Sequence, residues 1–108
     1  MKLIIAIIQD EDAANVISHL NDHSFQVTRL ATKGGFLRSG NTTIMTGVEQ
    51  DSVEEVLEIL EENCKTRTQF TTLPSPCGAM HGFIPKPIEV KVGGATVFVV
   101  ETEQFHKF

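Results

Sequence analysis

The sequence contains no Trp and no Tyr, so its seven Phe are its only Phe/Trp/Tyr aromatics. None carries a polar handle, and any Phe outside the core must act by packing or stacking alone. Long apolar runs are missing too. The longest, Leu3 to Ile8, ends at Gln9-Asp10-Glu11-Asp12, far short of the ~20 residues that cross a bilayer. The same stretch is too brief, and too soon followed by acids, to read as a signal peptide, so membrane insertion is not expected. Two cysteines, Cys64 and Cys77, occur without a CxxC pair, which excludes a disulfide-rich scaffold and makes a reduced, cytoplasmic protein the expectation. A chain of 108 residues supports one core, hence a single domain spanning 1–108 with no separate catalytic domain.

A net charge of -5 discourages affinity for a nucleic acid polymer. The charge is unevenly placed, however. Residues 23–48 carry Arg29, Lys33 and Arg38 and no acid, whereas residues 49–62 carry seven acids and no base. Those acids interleave with apolar residues at helical spacing and read as a solvated helix face. The acid-free stretch leaves a small anionic ligand open.

Leu3 to Ile8, continuous and β-branched, predicts a strand buried on both faces. Asp12 can cap a helix in which Ala13, Val16, Ile17 and Leu20 share one face, with Asn21-Asp22-His23 as the stop. Phe25 to Ala31 alternates as a half-buried strand on which Gln26, Thr28 and Leu30 look out together. Asn41 to Val48 is a third strand, and Asp51-Ser52 caps a second helix carrying Val53, Val56, Leu57 and Leu60. A proline-bearing loop of about 64–87 follows, longer than most connections in a compact domain and expected to be flexible. Ile88 to Val92, Gly93-Gly94 and Ala95 to Val100 then give a hairpin signal. The order fits an α+β, ferredoxin-like (βαββαβ) antiparallel sheet with two helices on one face, plus a C-terminal β-hairpin. A parallel sheet would need a crossover helix between the second and third strands, where the glycines leave no helical face.

Catalysis finds little support. His19 and His23 stand four apart near a helix end, yet only Asn21 and Asp22 lie nearby as oxygen ligands, and surface histidines beside a helix C-terminus are the simpler reading. Cys77 and His81 share a loop without a third member, and Cys64 continues the apolar face of the second helix. No acid–base pair, nucleophile constellation or metal cluster assembles, so an enzyme is not expected and no cofactor is implied.

The short glycine loop, about 33–40, is the informative segment. Gly34, Gly35 and Gly40 lie between two strands, which fits neither a P-loop nor a dinucleotide fingerprint. Glycines allow close backbone approach, so their N–H groups can cradle an anion, with Arg29, Lys33 and Arg38 supplying charge. Phe36 and Leu37 form an apolar pair suited to stacking, worth about 1–3 kcal/mol per base. Asn41 matches an adenine edge, and Thr28 can donate to a phosphate. Two readings remain at this point: a nucleotide site, or a tight turn whose Phe36 caps the core.

Three runs narrow the choice: Met1 to Asp10, Thr32-Lys33-Gly34-Gly35-Phe36-Leu37-Arg38-Ser39-Gly40-Asn41-Thr42-Thr43, and Val92-Gly93-Gly94-Ala95-Thr96-Val97-Phe98-Val99. With the ending Phe105-His106-Lys107-Phe108, they resemble the PII-like cyclic-di-AMP receptor family of Gram-positive bacteria. The resemblance implies a ferredoxin-like homotrimer that binds the second messenger cyclic-di-AMP in clefts between subunits, changes loop conformation and regulates a downstream partner without catalysis. It also implies a pocket lined by Thr28, Gly35, Phe36, Leu37 and Asn41, with Gly47 approaching by its backbone and Phe98 near the subunit boundary. Gln26 stands where the family commonly has Arg, and Lys107 where Gln is usual. Two alternatives are an ATP-binding PII-type regulator and a metal-binding or structural trimer of similar fold.

Overall fold

A computed structural model of the chain describes residues 1–30, 40–72 and 87–108. Its elements are β1 (Lys2–Gln9), α1 (Asp10–Asp22), β2 (Thr28–Leu30), β3 (Asn41–Val48), α2 (Val53–Cys64), β4 (Arg67–Thr72), β5 (Pro87–Val92) and β6 (Ala95–Glu101). Four strands form one sheet in the order β2-β3-β1-β6, and β4 pairs with β5 in a second. All pairs are antiparallel. A mixed α+β sheet of this order, with two helices, is compatible with the ferredoxin-like expectation.

Strand β1 organises the large sheet. It pairs with β3 from Lys2↔Val48 to Gln9↔Asn41 and with β6 from Lys2↔Glu101 to Ile8↔Ala95. Alternation along a strand sends Ile4, Ala6 and Ile8 to one face, where they join Ile44 and Val48 of β3. The helices cover that face with Ala13, Val16 and Leu20 from α1 and Val56, Ile59, Leu60 and Cys64 from α2. Leu3, Ile5 and Ile7, on the other face, are only half-buried. The expectation of a strand buried on both faces therefore holds for one face of a single chain.

Several boundaries differ from the sequence reading. Helix α1 starts at Asp10, directly after β1, and Asp12 is not its cap. Asp12 is instead 3% exposed, and its Oδ1 accepts a 2.7 Å hydrogen bond from Nη2 of Arg67. Strand β2 is shorter than Phe25–Ala31, and Ala31 lies outside the described residues. Part of the expected 64–87 loop is strand: β4 runs from Arg67 to Thr72, and residues 73–86 lie outside the described set.

The expected C-terminal hairpin is replaced by a different pairing. Strand β5 pairs with β4, from Arg67↔Val92 to Thr72↔Pro87, while β6 pairs with β1. The chain turns between sheets at Gly93 (φ +88°) and Gly94 (φ +93°). Their N–H groups are used away from a hairpin: Gly93 donates to Oε1 of Gln9 at 2.7 Å, and Gly94 donates to the Cys64 carbonyl. Strand β6 takes seven partner positions along β1, from Lys2↔Glu101 to Ile8↔Ala95.

Cys64 closes the core at the end of α2. Burial first, then the Asp12 carboxylate, pushes its thiol up from 9.0 to about 11, against a lowering influence from Arg67. The neutral thiol belongs to the folded state, so its contribution is full below the unfolded value of 9.0 and is lost as pH rises toward about 11. Urea unfolding across that alkaline window should show wild-type stability falling with pH more steeply than that of Cys64→Ala. Parallel slopes would contradict the assignment.

Candidate functional site

Register places four of the expected contact residues on the sheet face turned away from the helices. Thr28 stands opposite Met45, Asn41 opposite Gln9, Gly47 opposite Leu3, and Phe98 opposite Ile5. The buried, helix-covered positions Thr42, Ile44, Thr46 and Val48 alternate with Asn41, Thr43, Met45 and Gly47 along β3. Gln26 precedes β2, and its carbonyl accepts a 2.7 Å hydrogen bond from the Thr46 hydroxyl, which brings it near Gly47. Gly35, Phe36 and Leu37 lie outside the described residues, as do Lys33, Arg38, Cys77 and His81.

The face is brought together but the residues are not. Asn41 and Gly47 sit six residues apart on one strand, about 20 Å at ~3.4 Å per residue. Thr28 and Phe98 are on opposite edge strands, three strand spacings or about 14 Å apart. Gln26, Thr28 and Gly47 thus form one corner, Asn41 another, and Phe98 marks the far edge. Between them the surface is apolar: half-buried Leu3, Ile5, Ile7 and Met45, with Leu30, Phe98 and Val100 exposed. Arg29, expected to supply charge, pairs with Ile44 and so belongs to the helix side of the sheet, opposite Thr28. Its one-residue offset from Thr28 enforces that separation.

The Asn41 corner carries the richest chemistry. Asn41 borders two neighbouring cavities, one of about 320 Å³ shared with Asp10, Gly40 and Lys91, the other of about 270 Å³ shared with Gln9, Gly93 and Thr96. Sequence reasoning passed over Gln9, Asp10 and Lys91. Gln9-Asp10 read only as the polar end of a strand, and Gly93-Gly94 only as a hairpin turn. Local pattern did not mark them, because the direct passage from β1 to α1 at Gln9-Asp10 is a feature of the fold. A larger cavity of about 430 Å³ lies between α2 and β6 against Leu57, Leu60 and Val97, and includes none of the expected residues.

The metal alternative gains no geometry. Nδ1 of His23 donates to the His19 carbonyl at 2.8 Å, and Nδ1 of His19 lies 3.5 Å from the Asn63 amide nitrogen. Among the described residues no group of three or more His, Cys, Asp or Glu could hold a metal ion. Nor is any described helix long and apolar enough to cross a membrane.

These features define a small α+β protein whose antiparallel sheet carries helices on one face and a largely apolar surface on the other. The sequence matches the cyclic-di-AMP receptor family over residues 1–108, and the chain belongs to that family. A crystal structure of a functionally unknown protein from Pediococcus pentosaceus ATCC 25745 is similar in fold, with 45% sequence identity and a TM-score of 0.76. The match covers 99% of this chain and 96% of that one.

The glycine turn beside this corner is sterically closed. A Cβ on Gly93 would stand 2.6 Å from the Lys65 carbonyl oxygen, in a backbone conformation of φ +88°, whereas one on Gly94 would meet Thr66 Oγ1 at 3.3 Å. Gly93→Ala should therefore cost about 1–3 kcal/mol and more than Gly94→Ala. Thermal melts of the two variants check the order, and equal or reversed losses would refute it.

Proposed function

We propose that this chain is a non-catalytic signalling protein that binds cyclic-di-AMP at the subunit interfaces of a homotrimer. Binding changes loop conformation and so the surface offered to a downstream protein partner. Membership of the cyclic-di-AMP receptor family supports the ligand class. The carrying observation is the scatter of Thr28, Asn41, Gly47 and Phe98 over one apolar sheet face, too far apart for one chain to close around a dinucleotide. A second copy packed on that face covers Leu3, Ile5, Ile7 and Phe98 and brings the Asn41 corner of one chain toward the Gly47 corner of another. Burial of this surface also accounts for the unbroken apolar run of β1, which one chain alone leaves half-covered.

In this reading Asn41 pairs with the adenine edge, Thr28 donates to phosphate, Gly35 and Gly47 approach by their backbones, and Phe36, Leu37 and Phe98 pack on the bases. Isothermal titration with cyclic-di-AMP, cyclic-di-GMP and ATP is the direct test, with light scattering for the mass of the assembly. Saturable heat with cyclic-di-AMP and a mass three times 11.9 kDa are expected. No heat with cyclic-di-AMP at micromolar protein would overturn the ligand, competition by ATP would favour the PII-type regulator, and a monomeric mass would overturn the interface.

Two substitutions follow. Asn41→Ala removes a bidentate adenine contact and should weaken cyclic-di-AMP binding by about 1–3 kcal/mol, narrowing its margin over cyclic-di-GMP. Gln26→Arg adds a charge-assisted hydrogen bond toward phosphate, about 1.5–3 kcal/mol, and should tighten binding by roughly one to two decades. The same titrations read both, and unchanged affinity in either variant would remove that residue from the site.

A further inference from the structure

Asp10 is the first residue of α1, where an acidic side chain ordinarily serves the helix's own unpaired N–H groups. Here it reaches across the sheet end instead. Its Oδ2 accepts from the Gly40 N–H at 3.1 Å, and its Oδ1 accepts from the Thr42 hydroxyl. Its own backbone N–H donates to the Gly40 carbonyl at 3.1 Å. One residue therefore grips the chain immediately before and immediately after Asn41. Thr42 is 4% exposed and faces the helices, while Asn41 faces the opposite way. The neighbouring Gln9, in register with Asn41, receives the Gly93 N–H and lines both cavities that Asn41 borders.

We infer that Asp10 is a positioning residue for the nucleotide site: it sets the orientation of Asn41 by bracketing Gly40 and Thr42. The inference rests on the reading that Asn41 contacts adenine. Electrostatics alone would predict the reverse of a helpful role, because a carboxylate one residue from the contact repels a ligand that carries two phosphodiesters. What Asp10 contributes is geometry, through two acceptors aimed at two donors. An Asn in its place keeps much of that geometry without the charge. Its carbonyl can take the Gly40 N–H while its amide donates to the Thr42 oxygen, since a hydroxyl also accepts.

The test compares Asp10→Ala and Asp10→Asn with wild type by titration against cyclic-di-AMP and cyclic-di-GMP. Thermal melts confirm folding, and Asp10→Asn, which retains the bracket, guards against a variant that merely unfolds. Asp10→Ala should weaken cyclic-di-AMP binding about tenfold and reduce adenine preference, while Asp10→Asn should bind within a few-fold of wild type or more tightly. In an Asn41→Ala background, Asp10→Ala should have little further effect, because both act on one contact. Equal tightening in both Asp10 variants would mean that Asp10 acts as a repelling charge only, and additive losses in the double variant would mean a role independent of Asn41. Either result overturns the inference while leaving cyclic-di-AMP binding in place. Absence of binding by wild type would overturn the ligand reading, and this inference with it.

Discussion

Strand β1 pairs along both of its edges, with β3 on one side and β6 on the other, and the remaining described packing follows from that double pairing. Because its residues alternate, a run that is apolar throughout must offer one row, Ile4, Ala6 and Ile8, to the helices and a second row, Leu3, Ile5 and Ile7, to the opposite side. The first row finds Val16, Leu20, Val56 and Leu60 within the chain. For the second, the chain itself supplies only partial cover. One strand thereby sets both the internal core and the surface on which the expected ligand contacts lie.

The junction of β1 and α1 links that core to the side that carries the expected contacts. With no connecting loop, Gln9, Asp10 and Asp12 are held in fixed positions by strand and helix together. Gln9 receives Gly93, Asp10 receives Gly40 and Thr42, and Asp12 receives Arg67. Three residues within a four-residue span thus contact the end of the glycine loop and the base of the β4–β5 pair. Asp12 is the least tolerant member: it is nearly buried, and its Oδ2 has no hydrogen-bond partner among the described residues. A buried carboxylate without Arg67, the first residue of β4, would be uncompensated charge.

Local pattern made much of the fold legible. Both helices were visible because Val16 and Leu20, or Val56 and Leu60, recur at helical spacing whatever packs against them. The first strand was visible from its continuous β-branched run and the third from its Thr, Ile and Val. Strand β4 was missed because Arg67-Thr68-Gln69-Phe70-Thr71-Thr72 has no apolar row for a core to select. Gly93-Gly94 signalled a reversal, but a turn motif says nothing about which edge the next strand prefers.

At the site, the sequence by itself determined which side chains are chemically able to serve: the amide of Asn41, the hydroxyl of Thr28, and the absence of a side chain at Gly47. It also determined, through alternation alone, that Thr28 and Gln26 share a face. Tertiary structure decided what lies beside them, because contacts between residues 30 to 84 positions apart, such as Gly40 with Asp10 and Gly93 with Gln9, depend on strand pairing rather than on local spacing. It decided too that these residues occupy separate corners of one apolar face. Distances along and across a sheet are fixed by strand rise and strand separation, which no reading of side-chain order can shorten.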